Sequence, residues 1–211
     1  MEFSNGETTP GDWDLRPTAQ EIPWPDLSGK RCLDIGTADG FWAFEMERRG
    51  AAHVLATDRP SPFQERSKRN FDEARRKLGS SVEYATCDVF DLEGEFDVAF
   101  IGFVLQMVED PIRALRRVGE VAQTLLLLDT VSLPLALLPS PLARLDARHD
   151  GREWFVFNPR GMRKVVELAG WTVEAQTGIL RDHQPRARHH WKWVTGVRGR
   201  SSALRAIRRE Q

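Results

Sequence analysis

Between residues 30 and 131, short apolar runs alternate with amphipathic stretches, and glycine and proline mark the joins. The runs are KRCLDIG (30–36), HVLATD (53–58), SVEYATCD (81–88), EFDVAFIGFVL (95–105) and QTLLLLDTV (123–131). Between them lie GFWAFEMERRG (40–50), SPFQERSKRNFDEARRKLG (61–79) and DPIRALRRVGEVA (110–122). Pro62 and Pro111 suit a first helical turn, where a missing N–H is no loss, and Gly50 and Gly79 suit helix ends. Phe63, Phe71, Ala74 and Leu78 supply the apolar contacts of the second helix. The nearly all-apolar run from 96 demands cover on both faces, as a parallel strand receives. The rhythm resumes with a helix at 158–170, capped by Asn158 with Pro159 at its start. Alternating runs follow at 171–178 and 189–197. Such alternation predicts an α/β fold with a doubly wound, mostly parallel sheet.

The 211 residues suffice for one core and predict a single domain spanning 1–211. Residues 1–30 read as an arm with a short helix near 16–21. Residues 132–157 read as a lid or substrate-wall insertion, and 198–211 as a basic tail. The net charge of -1 offers no global field for nucleic acid or membrane. The apolar run from 124 is broken by Asp129, Ser132 and Pro134 and cannot span a bilayer, so no membrane partner is expected. Cys32 and Cys87 give neither a disulfide framework nor a metal-ligand spacing, so no metal is expected and a cytoplasmic location is the default.

The turn after the first strand reads DIGTADG (34–40). A dinucleotide fingerprint beginning at Gly36 needs glycine at positions 38 and 41, where the chain has Ala38 and Phe41. The pattern D-x-G-x-A-x-G, with Asp34 and Gly40, instead resembles motif I of class I S-adenosylmethionine (SAM) methyltransferases, departing from it at Ala38. WDLRP (13–17), residues 27–58 and WFVFNPRGMRKVVELAGW (154–171) together resemble a bacterial group of methyltransferase-like proteins. That group is related to the tRNA uridine 5-oxyacetic acid carboxymethyltransferases, and the likeness covers roughly 11–178. The resemblance implies an α/β fold with a doubly wound, mostly parallel seven-stranded Rossmann-like sheet, helices on both faces, and SAM as cofactor with S-adenosylhomocysteine (SAH) as product.

Site residues follow from the same resemblance. Asp34, Gly36, Thr37, Ala38, Asp39 and Gly40 form the cofactor turn. Asp58, at the tip of the second strand and followed by Arg59, is placed for the ribose diol, against the alternative that it caps the next helix. Asp88 and Val89 match the adenine position, with Asp91 competing as a turn residue. Gly102, Phe103 and Gln106 sit beside the sulfonium. Phe103 offers it an aromatic face or belongs to the core.

A hydroxyl acceptor would be helped by a base. His149 is the leading candidate, ahead of His189 and His190, although His149 and Asp150 also read as a solvated loop. Trp13, Trp24, Trp42, Trp154, Phe155 and Phe157 would wall a flat, apolar small molecule, with Trp42 and Phe157 equally readable as core. These features predict an O- or C-methyltransferase of a small molecule, in secondary metabolism. The rival is an RNA-modifying enzyme using the basic 181–211 segment with Trp191 and Trp193 as stacking platforms. A third reading is a protein that binds SAM without transferring methyl.

Overall fold

The computed structural model describes residues 14–145, 154–181 and 200–209, together with residues 6, 8 and 9. Helix α1 (Arg16–Glu21) precedes strand β1 (Arg31–Ile35), α2 (Phe41–Arg48), β2 (His53–Asp58), α3 (Pro62–Leu78) and β3 (Glu83–Thr86). Then come β4 (Phe96–Gly102), α4 (Pro111–Val121), β5 (Ala122–Thr130), α5 (Leu133–Ala136) and the short strands β6 (Ala143–Leu145) and β7 (Phe155–Phe157). Helix α6 (Pro159–Leu168) leads to β8 (Trp171–Gln176), β9 (Leu180–Arg181) and β10 (Arg200–Arg208).

The helix boundaries follow local chemistry. The Ser61 hydroxyl accepts the Gln64 N–H, the Asp110 carboxylate that of Arg113 and the Asn158 side chain that of Gly161, each just before a proline at the helix start. Gly79 ends α3 at φ 62°.

The main sheet runs β3-β2-β1-β4-β5-β10-β8, with β9 beside the start of β10. It is parallel through β5, and β10 runs antiparallel to both β5 and β8. This is the α/β, mostly parallel sheet that the sequence predicts. Alternation sorts its side chains into two cores. Leu33, Ile35, Ile101, Leu127 and Leu204 pack with Leu115, Val118, Met162 and Val166 on the α4/α6 side. Cys32, Val98, Phe100, Leu128 and Ala203 pack with Ala19, Trp42, Met46 and Phe71 on the α1/α2/α3 side.

Two expectations need correction. The segment 200–208 is not a basic tail: β10 pairs with β5 from Ser201↔Thr130 to Ile207↔Thr124, and Ala203, Leu204 and Ala206 are buried. The strand expected at 189–197 lies outside the described residues. Phe63 is exposed, whereas Phe71 and Ala74 are buried as expected. The arm from residue 14 is well packed. Trp24 stacks on Phe100 with ring centroids 5.4 Å apart and donates its indole N–H to Ala19 O, and the Arg49 guanidinium lies over its ring. No described helix is long and apolar enough to cross a membrane.

Candidate functional site

Four parallel strands deliver the predicted cofactor residues to one edge of the sheet. The turn after β1 is tied to β2: Gly36 and Thr37 N–H both donate to Thr57 O, at 2.8 and 2.9 Å. Gly40 N–H closes the turn on Thr37 O, and Asn70 on α3 donates to the Asp39 carboxylate. Cys87 N–H donates to Asp58 O, which sets Asp88 beside the tip of β2. An added Cβ on Gly36 would lie 2.3 Å from Val104 Cγ2, so this turn touches the segment after β4. A Cβ on Gly102 would meet Trp42 Nε1 at 2.8 Å. Among the described residues, two positions are left-handed without being glycine, Ala38 at φ 48° and Phe103 at φ 59°. Both lie at this edge, where such strain collects in functional sites.

The electrostatics are unusual for a protein interior. Asp34 is 1% exposed, and neither carboxylate oxygen has a hydrogen-bond partner among the described residues. The Thr37 hydroxyl and Gln106 Oε1 are likewise buried and unpartnered. Burial pushes the Asp34 pKa up to about 7, resisted by the nearby Thr37 hydroxyl and Ala43 N–H. Burial also raises Asp58, against the Ala38 and Arg59 N–H groups, which favour its charged form. Buried polar groups are almost always satisfied, so this cluster has the character of a site that completes its bonds with a ligand.

Asp88 is half-buried and accepts the Phe90 N–H, capping the short 3-10 turn Val89–Asp91, while Asp91 is exposed. Gln106 sits in the 3-10 turn after β4, held on both sides. Its N–H donates to Asp129 Oδ2 at 3.1 Å, and its carbonyl accepts Trp154 N–H at 2.7 Å. Asp129, 1% exposed near the end of β5, also accepts the Thr130 N–H. Sequence reasoning missed Asp129, whose carboxylate holds the Gln106 backbone. Its signal was a lone acid closing the run LLLLD. His149, Asp150, His189 and His190 lie outside the described residues. A cavity of about 470 Å³ between α4, α6 and the end of β10 is lined by Arg116, Gly119, Trp171 and Arg208. It opens on the opposite edge of the sheet and contains none of these site residues.

A family model described as a methyltransferase domain matches residues 14–176. The chain belongs to that family. It is a SAM-dependent methyltransferase domain. Residues of the chain are 36% identical over 95 positions to the ubiquinone biosynthesis O-methyltransferase of Neisseria meningitidis serogroup C. That match covers 43% of this chain and 39% of the relative, so the chain spans well under half the length of the curated relative it matches. Among solved structures, a SAM-dependent methyltransferase from Mesorhizobium loti shares 18% identity with a TM-score of 0.60, covering 92% of this chain and 97% of that one. Magnesium protoporphyrin IX methyltransferase from Synechocystis PCC 6803 with bound SAH shares 16% at a TM-score of 0.59, covering 87% and 76%. Both likenesses concern the fold.

The methyltransferase domain's cofactor is SAM, and the residues present fit it. The cofactor carries an ammonium, a ribose diol and a sulfonium. The edge offers it an unpartnered buried carboxylate, a buried hydroxyl and a second acid at the tip of β2. It also has a turn too tight for a Cβ at Gly36.

Proposed function

We propose that this methyltransferase domain transfers methyl from SAM to an oxygen or carbon of a flat, largely apolar small molecule. The observation that carries the reading is the trio of unpartnered buried acceptors, Asp34, Thr37 and Gln106, around one glycine turn. When bound, SAM supplies an electrophilic methyl on a sulfonium. Asp34 and Thr37 hold its amino-acid end, and Gly36, Ala38, Asp39 and Gly40 let it lie close to the backbone. Asp58, followed by Arg59, takes the ribose diol. Asp88 keeps one carboxylate oxygen for the adenine amino group, with Val89 against the ring. Gly102, Phe103 and Gln106 line the reacting end.

The remaining task is to hold the acceptor in line with the methyl and to exclude water. The half-buried Phe155 and the exposed Trp154, fixed to Gln106 O, supply an aromatic wall, while Phe157 belongs to the core beneath it. His149 remains the candidate base for a hydroxyl acceptor. Relatives named for ubiquinone biosynthesis and for magnesium protoporphyrin IX agree in kind with such an acceptor. The finer resemblance to the tRNA carboxymethyltransferase group would make the acceptor a uridine in RNA. We prefer the small molecule because residues 200–208 of the basic segment behind the RNA reading are the paired strand β10, with Ala203, Leu204 and Ala206 buried in the sheet.

Calorimetric titration with SAM, SAH and NAD separately tests the cofactor. Binding of the two sulfur nucleosides and not NAD is the expected result, and NAD alone or no binding overturns the reading. A screen of aromatic and polyketide-like acceptors with labelled SAM tests the rest. Transfer to RNA and to none of them would overturn the acceptor class.

A further inference from the structure

Ten large apolar side chains are exposed among the described residues, and six of them crowd the lid region: Met107, Leu133, Leu137, Leu138, Leu145 and Trp154. Scattered apolar residues need no explanation, whereas a contiguous patch does. Contiguity follows from the bonding. Trp154 N–H donates to Gln106 O, which seats Trp154 beside Met107. Leu145 pairs across the hairpin with Phe155, the neighbour of Trp154. Ser132 N–H donates to Phe157 O, and the Asn158 side chain donates to Leu135 O, so α5 is fastened to the same hairpin. Leu137 and Leu145 are the most exposed, at 84% and 73%.

The charge around this patch differs from that of the whole chain. Residues 131–166 carry six Lys and Arg against three Asp and Glu, a local excess of positive charge. Arg160 donates to Leu138 O at 3.1 Å, which fixes its guanidinium at the rim. The net charge of -1, which argued against any membrane partner, is an average that hides this local face.

We propose that the patch seats the protein on an anionic lipid bilayer. The leucines and Trp154 enter the interface, and Arg160 at the rim meets a lipid phosphate. An apolar face with an aromatic at its margin and cations at its rim is the composition that lies in the headgroup boundary without spanning it. The arrangement turns the lid side of the site toward the lipid, so an apolar acceptor can reach it without crossing water. The inference holds whichever acceptor is methylated.

The test is co-sedimentation of the full chain with vesicles of phosphatidylcholine, alone or with about 30% phosphatidylglycerol. Sedimentation with the anionic vesicles, weakened by salt, is expected. The double variant Leu137→Glu, Leu145→Glu should partition on the order of tenfold less or weaker still. Its SAM titration should match the wild type, which shows that it is folded and separates this result from any failure of the cofactor assignment. A wild type that ignores anionic vesicles overturns the proposal, as does equal binding to neutral vesicles at every salt concentration. A wild-type dimer that the double variant dissolves would assign the patch to a second copy and overturn it as well.

Discussion

Asn158 grips Leu142 from both directions: its N–H donates to Leu142 O at 2.9 Å, and Leu142 N–H donates back to Asn158 Oδ1 at 3.0 Å. The same oxygen accepts Gly161 N–H, and the amide nitrogen donates to Leu135 O and Ser140 O. One fully buried side chain thus caps α6 and closes the 133–142 segment over the sheet. An aspartate keeps the acceptors but loses both donors and buries a charge. Asn158→Asp should therefore destabilise by about 3 kcal/mol. Chemical denaturation measures this, and proteolysis within 133–142 should accelerate in the variant.

Asp34 carries a pH signature. Its pKa is about 7 in the fold against a reference of 3.8. The folded state therefore keeps a proton that the unfolded chain has already lost. The resulting stabilisation is complete below about pH 4 and is lost as pH rises through about 7. In the protein without cofactor, the stability of wild type relative to Asp34→Asn should fall over that window. SAM brings a cation to the carboxylate, so binding near pH 6 should release a proton. Calorimetry in buffers of different ionisation enthalpy reads that proton directly.

Two neighbours in the turn should respond with opposite signs. Ala38 already pays a steric penalty at φ 48°, and Ala38→Gly should change stability by about 0 to +1 kcal/mol, the relief being offset by a freer unfolded chain. Gly36→Ala places its Cβ 2.3 Å from Val104 Cγ2 at φ +74° and should lose about 2–3 kcal/mol. Thermal melts of the two variants side by side check both.

Asp58→Ala should weaken SAM by about 1–3 kcal/mol, the loss of a charge-assisted bond to the ribose. NAD should gain nothing. Unchanged SAM affinity would mean that Asp58 serves only its local N–H groups.

Deleting residues 200–211 should abolish folding rather than remove a nucleic-acid contact. The loss strips β5 and β8 of their shared neighbour and takes buried Ala203, Leu204 and Ala206 with it. Circular dichroism and solubility of the truncated chain check this.

The helix ends were legible because their chemistry is local: a cap before a proline, or a glycine at positive φ, acts within a few residues. The position of Asp58 at the tip of β2 and the backbone turn at Gly36 and Gly40 were legible for the same reason. Strand β10 was not. Ser201 and Ser202 are completely buried, yet as small polar residues they carry little hydropathy signal, and the flanking arginines dominate the composition. Only pairing with β5 and β8 reveals the strand. Asp129 and the four-way role of Asn158 were hidden because their partners lie 23 and up to 23 residues away in sequence.

The position of β10 also bears on synthesis. It is the last strand of the sheet in chain order, yet it lies between β5 and β8. Until residues 200–208 emerge from the ribosome, β5 presents an open apolar edge to every chaperone and neighbouring nascent chain. The sheet of this domain is therefore complete only once β10 has been made, and a premature stop anywhere before β10 yields a substrate for quality control instead of a shortened enzyme.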